Sequence, residues 1–145
     1  MLTKDFREFI GLLNEKKVEY LLVGGYAVIL HGYPRYTGDI DFWINPTHEN
    51  GEKVLSVLDA FGFGSLKLVA SDFRKEDQII QLGYPPLRID LMTSIAGLSF
   101  QKSYPSSVIF EIDGLPIRTI SKNHLKENKR ASGRHKDLDD LEHLP

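Results

Sequence analysis

Two aspartates spaced two apart, and a third in a similar setting further along, are the residues of this chain best suited to chemistry. Asp39 and Asp41 lie in Thr37-Gly38-Asp39-Ile40-Asp41-Phe42-Trp43-Ile44, and Asp90 lies in Leu87-Arg88-Ile89-Asp90-Leu91-Met92. Both segments are rich in strand formers. On a strand, residues i and i+2 project to one side, so Asp39 and Asp41 point together while Ile40, Phe42 and Ile44 point into a core. Neighbouring like charges repel, and hard carboxylate oxygens side by side call for a divalent cation, most simply Mg²⁺. That is the arrangement a phosphoryl-transfer site needs. Taken alone, an Asp-x-Asp triplet is also what a solvated strand face looks like, and Asp90 could equally be a charge on an exposed strand.

A second segment, Leu21-Leu22-Val23-Gly24-Gly25-Tyr26-Ala27-Val28, reads as strand, diglycine turn, helix. Glycines let the backbone turn sharply and let a phosphate come close to free N–H groups. Any strand-to-helix turn can carry such a pair. Thirteen residues separate Gly25 from Asp39, room for one short helix and one loop to bring the carboxylates beside the turn. Near the end, Arg118, Lys122, Lys126, Lys129, Arg130, Arg134 and Lys136 form a basic stretch. Its alternatives are a solvated helix face, a triphosphate clamp centred on Lys129 and Arg134, or a strip for RNA backbone. Asp137 and Asp140 are expected to orient these cations. The histidines lack zinc spacing, Gly62-x-Gly64 lacks the third glycine of a dinucleotide fingerprint, and no Walker loop or nucleophile elbow occurs. Trp43 and Tyr26 read as core.

The elements that must position these residues follow from periodicity. Thr3 caps a helix to about Lys17 with Phe6, Phe9, Ile10 and Leu13 on one face. Val18 to Val23 is a buried strand, Tyr26 to His31 a short helix, Gly32 to Gly38 a loop, Asp39 to Ile44 a strand ended by Pro46, and His48 to Phe61 an amphipathic helix. Leu66 to Val69 is expected as a strand. Gln78 to Leu82 and Leu87 to Met92 form a strand pair across Tyr84-Pro85-Pro86. Val108 to Ile112 and Leu115 to Ile120 form a hairpin around Asp113-Gly114. Ser121 caps a helix ending at Gly133, and a last helix runs from Arg134 to Leu144. Mixed strands and helices of this kind predict an α/β fold of the α+β type, a mixed sheet backed by helices.

With 145 residues, 41% hydrophobic and 26% charged, the chain is expected to form one domain, residues 1–145. Its net charge of −2 argues against nucleic-acid binding over the whole surface. The lack of cysteine excludes disulfides and thiolate metal sites. The charged opening residues read as a helix rather than a leader, and the longest apolar stretch, Tyr20 to Leu30, is too short for a membrane span. A cytoplasmic protein with no membrane partner is expected.

In order and spacing, Gly24-Gly25, Asp39-x-Asp41 and Asp90 in its Ile-Asp-Leu strand resemble the DNA polymerase β-type nucleotidyltransferase superfamily. The string Arg35-x-Thr37-x-Asp39-Ile40-Asp41 is most similar to small AbiEii-like bacterial and archaeal nucleotidyltransferases. Lys129-x₄-Arg134-x-Lys136-Asp137-x₂-Asp140-Leu141 resembles a segment of their last helices. The resemblance implies a palm-like fold with two C-terminal helices and Mg²⁺-dependent transfer of a nucleoside monophosphate from a triphosphate, ATP among the candidates, to an acceptor hydroxyl, releasing pyrophosphate. It implies that Gly24 and Gly25 bind the phosphates, that Arg35, Thr37, Lys129 and Arg134 contact the nucleotide, and that Asp39, Asp41 and Asp90 hold two Mg²⁺ ions, which Mn²⁺ could replace. Asp90 would also orient or deprotonate the acceptor. That acceptor could be tRNA, a protein or a small molecule such as an aminoglycoside. The alternative is a weakly active or non-catalytic nucleotide-binding module paired with a cognate toxin or antitoxin. Two departures stand out. Many members have Gly-Ser where this chain has Gly24-Gly25, and larger members continue into a helical domain that grips the acceptor.

Overall fold

A computed structural model describes residues 2–84 and 87–145. Six strands form one mixed sheet in the order β3-β4-β2-β1-β6-β5, built from β1 (Tyr20–Val23), β2 (Ile40–Ile44), β3 (Ile79–Leu82), β4 (Ile89–Met92), β5 (Val108–Ile112) and β6 (Leu115–Thr119). β2 runs antiparallel to β1 and parallel to β4. The helices are α1 (Lys4–Glu15), α2 (Gly24–Leu30), α3 (His48–Phe61), α4 (Phe100–Ser103), α5 (Lys122–Ser132) and α6 (His135–His143). This is the expected α+β architecture, including the two C-terminal helices. No described helix is long and apolar enough to cross a membrane.

Strand register sorts the side chains onto two faces. Tyr20, Leu22, Ile40, Phe42, Ile44, Ile89 and Leu91 share one face across three paired strands. α1 and α3 cover it, burying Phe6, Phe9, Ile10 and Leu13 against Val54, Val57 and Leu58. Phe9 meets Phe42 with ring centroids 5.7 Å apart. Side-chain caps start both helices, Thr3 accepting from the Phe6 amide and Thr47 from the Asn50 amide. The opposite face carries Leu21, Val23, Asp41, Trp43, Asp90, Met92, Gln81 and Ile79. Its lower half is sealed where Trp43, 1% exposed, meets Phe100 edge-on at 5.2 Å. Its upper half holds the carboxylates.

The hairpin turns at Asp113 and Gly114, both with positive φ, as a two-residue primed turn requires. The expected strand over Leu66 to Val69 does not form. Gly64–Leu66 and Ala70–Phe73 are 3-10 turns, Lys67 is left-handed at φ 52°, and Leu66 and Val69 are exposed. A left-handed residue breaks the extended backbone that a strand needs. β3 and β4 pair as expected; Pro85 and Pro86, in the connection between them, lie outside the described residues.

Candidate active site

The row of paired residues across the sheet builds the site. Val23 on β1 faces Asp41 on β2, Asp41 faces Asp90 on β4, and Asp90 faces Gln81 on β3. Asp39 immediately precedes β2 on the same side. All three carboxylates line one cavity of about 820 Å³, together with Gly24, Gly25, Thr37, Arg88, Lys129 and Arg134. Residues from Val23 to Asp137 thus share one concavity on the open half of the sheet.

At one end, α2 begins directly after β1 with no side chain capping it, so its first N–H groups have no side-chain partner. Gly24 has φ +68°, and any side chain there would collide with Oδ2 of Asp41. A Cβ on Gly25 would sit 2.6 Å from Thr37 Oγ1 and 3.2 Å from an Arg35 guanidinium nitrogen. The diglycine is therefore required by the close approach of the carboxylate and the 32–38 loop, besides leaving its backbone open to the cavity.

In the middle, Arg88 bridges two of the three carboxylates. Its Nε donates to Asp90 Oδ1 at 2.7 Å and its Nη2 to Asp90 Oδ2 at 3.1 Å. The same Nη2 lies 3.1 Å from Asp39 Oδ2, and the Arg88 amide donates to Asp39 Oδ1. Among the described residues Asp41 has no such counter-ion. Burial pushes its carboxyl up to about 6, reinforced by the charges of Asp90 and Asp39 and by a hydrogen bond with Asp90, while Lys129 pulls it down.

Close behind the diglycine, α5 and α6 meet in a charge cluster whose Lys129, Asp137 and Asp140 are buried. Lys129 Nζ lies 3.2 Å from Asp137 and 3.0 Å from Asp140, Arg134 Nε donates to Asp137 at 2.8 Å, and Arg35 grips Asp140 with two hydrogen bonds of 2.7 and 2.8 Å. Asp137 and Asp140 thus orient the cations, as expected. Burial alone would raise both carboxyls, yet hydrogen bonds from their cations hold them below the usual range, Asp137 at about 2.

Of the residues singled out in the sequence, Gly24, Gly25, Thr37, Asp39, Asp41, Asp90, Lys129 and Arg134 all line the cavity. Arg35 does not stand among its lining residues; it braces the loop behind the diglycine through Asp140. Lys129 is 4% exposed and already satisfied by two carboxylates, so it contributes charge from within the wall. Arg88 had no role assigned from sequence. The signal was present, since Arg88 is two residues before Asp90 on a strand and must share its face, as Asp39 shares that of Asp41.

The carboxylates, a hard-oxygen donor set with surplus negative charge at Asp41, fit Mg²⁺ in kind. No family model matches the chain, and no curated protein matches it in sequence. Solved structures do match in fold. A candidate nucleotidyltransferase from Thermotoga maritima superposes with a TM-score of 0.61 at 16% identity, covering 94% of this chain and 88% of that one. The lincosamide antibiotic adenylyltransferase LnuA, bound to lincomycin, gives 0.55 at 18% identity, covering 100% and 99%. The antibiotic-resistance factor ANT(2″)-Ia, in complex with adenylyl-2″-tobramycin, gives 0.53 at 14% identity, covering 94% and 83%. The likeness is one of architecture, and the mixed six-stranded sheet with its helices is the fold of these nucleotidyltransferase structures.

Proposed function

We propose that this protein transfers a nucleoside monophosphate from a nucleoside triphosphate to an acceptor hydroxyl. The observation that carries the reading is the row Val23–Asp41–Asp90–Gln81, which sets the diglycine turn, the carboxylates and an open wall in line across four strands. In-line displacement needs the leaving and attacking oxygens on opposite sides of the reacting phosphorus. The diglycine N–H groups, with Arg134 and Lys136 nearby in the lining, suit the departing pyrophosphate. The acceptor then enters from the β3 side, beside Asp90. Its oxygen bonds to the α-phosphorus, the bond to the bridging oxygen breaks, pyrophosphate leaves, and the acceptor proton passes to the Asp90 carboxylate. Asp39, Asp41 and Asp90 would hold Mg²⁺, which when bound neutralises charge on the transferring group and the leaving oxygen.

The β3 side is lined by Ile79, Gln81, Met92, Ser94, Ile95 and Ala96, which carry no charge. A polyanionic RNA end would find few partners there. This favours a small hydroxyl compound or a protein hydroxyl over tRNA. LnuA, nearly all of whose chain is matched by this fold, is an adenylyltransferase of the small-molecule kind. The AbiEii-like reading is supported by the Arg35–Asp140 pair, which joins the two segments, 105 residues apart, that carry that resemblance. One observation favours the second reading, a nucleotide-binding module within a toxin–antitoxin pair: Arg88 already pairs with two of the three carboxylates.

The test is transfer of label from each of four α-labelled nucleoside triphosphates, with Mg²⁺, into tRNA, total protein and small hydroxyl compounds including lincomycin and tobramycin. Label is expected with wild type and should vanish in the Asp39→Asn/Asp41→Asn double variant. Mg²⁺-dependent nucleotide binding without transfer would shift the assignment to the binding module. Absence of both would overturn the proposal.

A further inference from the structure

Arg88 takes lone pairs that a cation at this site would also need. Both oxygens of Asp90 and Oδ2 of Asp39 accept from one guanidinium, whose side chain is 22% exposed and lines the cavity. Three carboxylates and this guanidinium leave two negative charges, matching one divalent ion and not two. A guanidinium stays charged throughout the working pH range, so once parted from these carboxylates it needs another anion.

We propose that Arg88 is an exchangeable counter-ion: it clamps Asp39 and Asp90 before a metal and nucleotide arrive, and moves onto the substrate's phosphate oxygens when they do. This rests on the nucleotidyltransferase reading. The planar fork that now grips Asp90 bidentately suits a phosphoryl group equally well. Exchange of this kind couples the two ligands. Metal binding frees the guanidinium for the phosphates, and phosphate binding holds it away from the carboxylates, so each ligand tightens the other by the same factor. Divalent cation alone should bind weakly, because it must displace a bidentate pair with nothing offered in return.

The experiment measures Mn²⁺ binding by electron paramagnetic resonance, with and without inorganic tripolyphosphate, for wild type, Arg88→Gln and Arg88→Lys. Lys136→Gln serves as a control for simple loss of a cavity-lining charge. In Arg88→Gln, Mn²⁺ alone should bind about tenfold or more tightly than in wild type, while the enhancement by tripolyphosphate falls about tenfold. Arg88→Lys, a point charge without the fork, should lie between. Lys136→Gln should change metal-only affinity no more than about threefold. An Arg88→Gln protein with unchanged or weaker metal-only affinity, or with undiminished enhancement, overturns the inference while leaving the nucleotidyltransferase reading in place. Wild type and variant that both fail to bind Mn²⁺ with tripolyphosphate overturn the two together. Thermal unfolding of Arg88→Gln, with and without Mn²⁺, shows that the variant is folded and gives a second reading of metal affinity.

Discussion

At position 25 there is no room for the serine that many members of the nucleotidyltransferase superfamily carry in place of the second glycine. A Cβ there meets Thr37 Oγ1 at 2.6 Å and Thr37 Cβ at 3.0 Å, closer than packed atoms sit. Gly25→Ser should therefore destabilise the protein by about 1–3 kcal/mol, the usual cost of overpacking. Thr37→Ala removes the nearer atom, so the Gly25→Ser/Thr37→Ala double variant should recover at least about 1 kcal/mol relative to the sum of the single changes, measured by urea unfolding. Asp41 poses the opposite problem, a side chain retained against stability. Its carboxyl is raised to about 6, so the folded state holds the proton that the unfolded chain releases near pH 4. Stability from this group is present at low pH and is lost as pH rises from about 4 to about 6. Asp41→Asn should remove that loss, raising stability at pH 7 by about 2–3 kcal/mol, flattening the pH profile of the melting temperature in that window, and abolishing Mg²⁺-dependent transfer.

Among the elements, α6 is fastened to the rest of the fold by charge more than by apolar area. Asp140 is fully buried and accepts from both Arg35 of the 32–38 loop and Lys129 of α5. Asp140→Ala would leave Arg35 without its carboxylate and Lys129 with Asp137 alone, at a cost of about 3–5 kcal/mol, and should lower the melting temperature by on the order of 10 °C. Asp137 gives the matching pH signature. Hydrogen bonds from Arg134, Ser132 and Lys129 outweigh its burial and hold it at about 2, so its contribution is present above the unfolded value near 4 and is lost as pH falls towards 2. Acid unfolding should therefore begin with loss of α6, seen as early loss of amide protection over residues 135–143. The sequence told part of this. The spacing of Lys129, Arg134, Asp137 and Asp140 marked them as a set, and Ser121 and Gly133 bounded α5 as expected. It could not show that Arg35 and Lys129 turn inward to Asp140, because a partner on another element leaves no trace in local spacing. The same limit hid α4, whose Phe100 is defined by its contact with Trp43 and not by any periodicity of its own.

For the whole molecule the question is where its positive charge goes. The sequence groups Arg118, Lys122, Lys126, Lys129, Arg130, Arg134 and Lys136 into what could be one strip, but the fold divides them. Arg118 stacks over Tyr104 at 5.2 Å and donates to Ser107. Lys126 donates to the Pro145 carbonyl at 2.9 Å, and Lys129 is inside. Arg134 and Lys136 line the cavity. Lys122, Lys126 and Arg130, four residues apart on α5, remain as one short row, and on a molecule of net charge −2 three such cations make a weak footing for the regular phosphates of a nucleic acid. The cations that line the cavity, Arg88, Lys129, Arg134 and Lys136, are matched there by Asp39, Asp41, Asp90 and Asp137, so its wall offers phosphate oxygens local partners rather than a net positive field. Single-stranded RNA should accordingly bind no more tightly than about 10⁻⁴ M at physiological salt, the weak end of non-specific association, in a fluorescence anisotropy titration. Lys122→Glu/Lys126→Glu should change neither that value nor nucleotide affinity by more than about twofold. Micromolar RNA binding that the double variant abolishes would place the acceptor on the outer face of α5, and would make an RNA end, rather than a small hydroxyl compound, the group that meets Asp90.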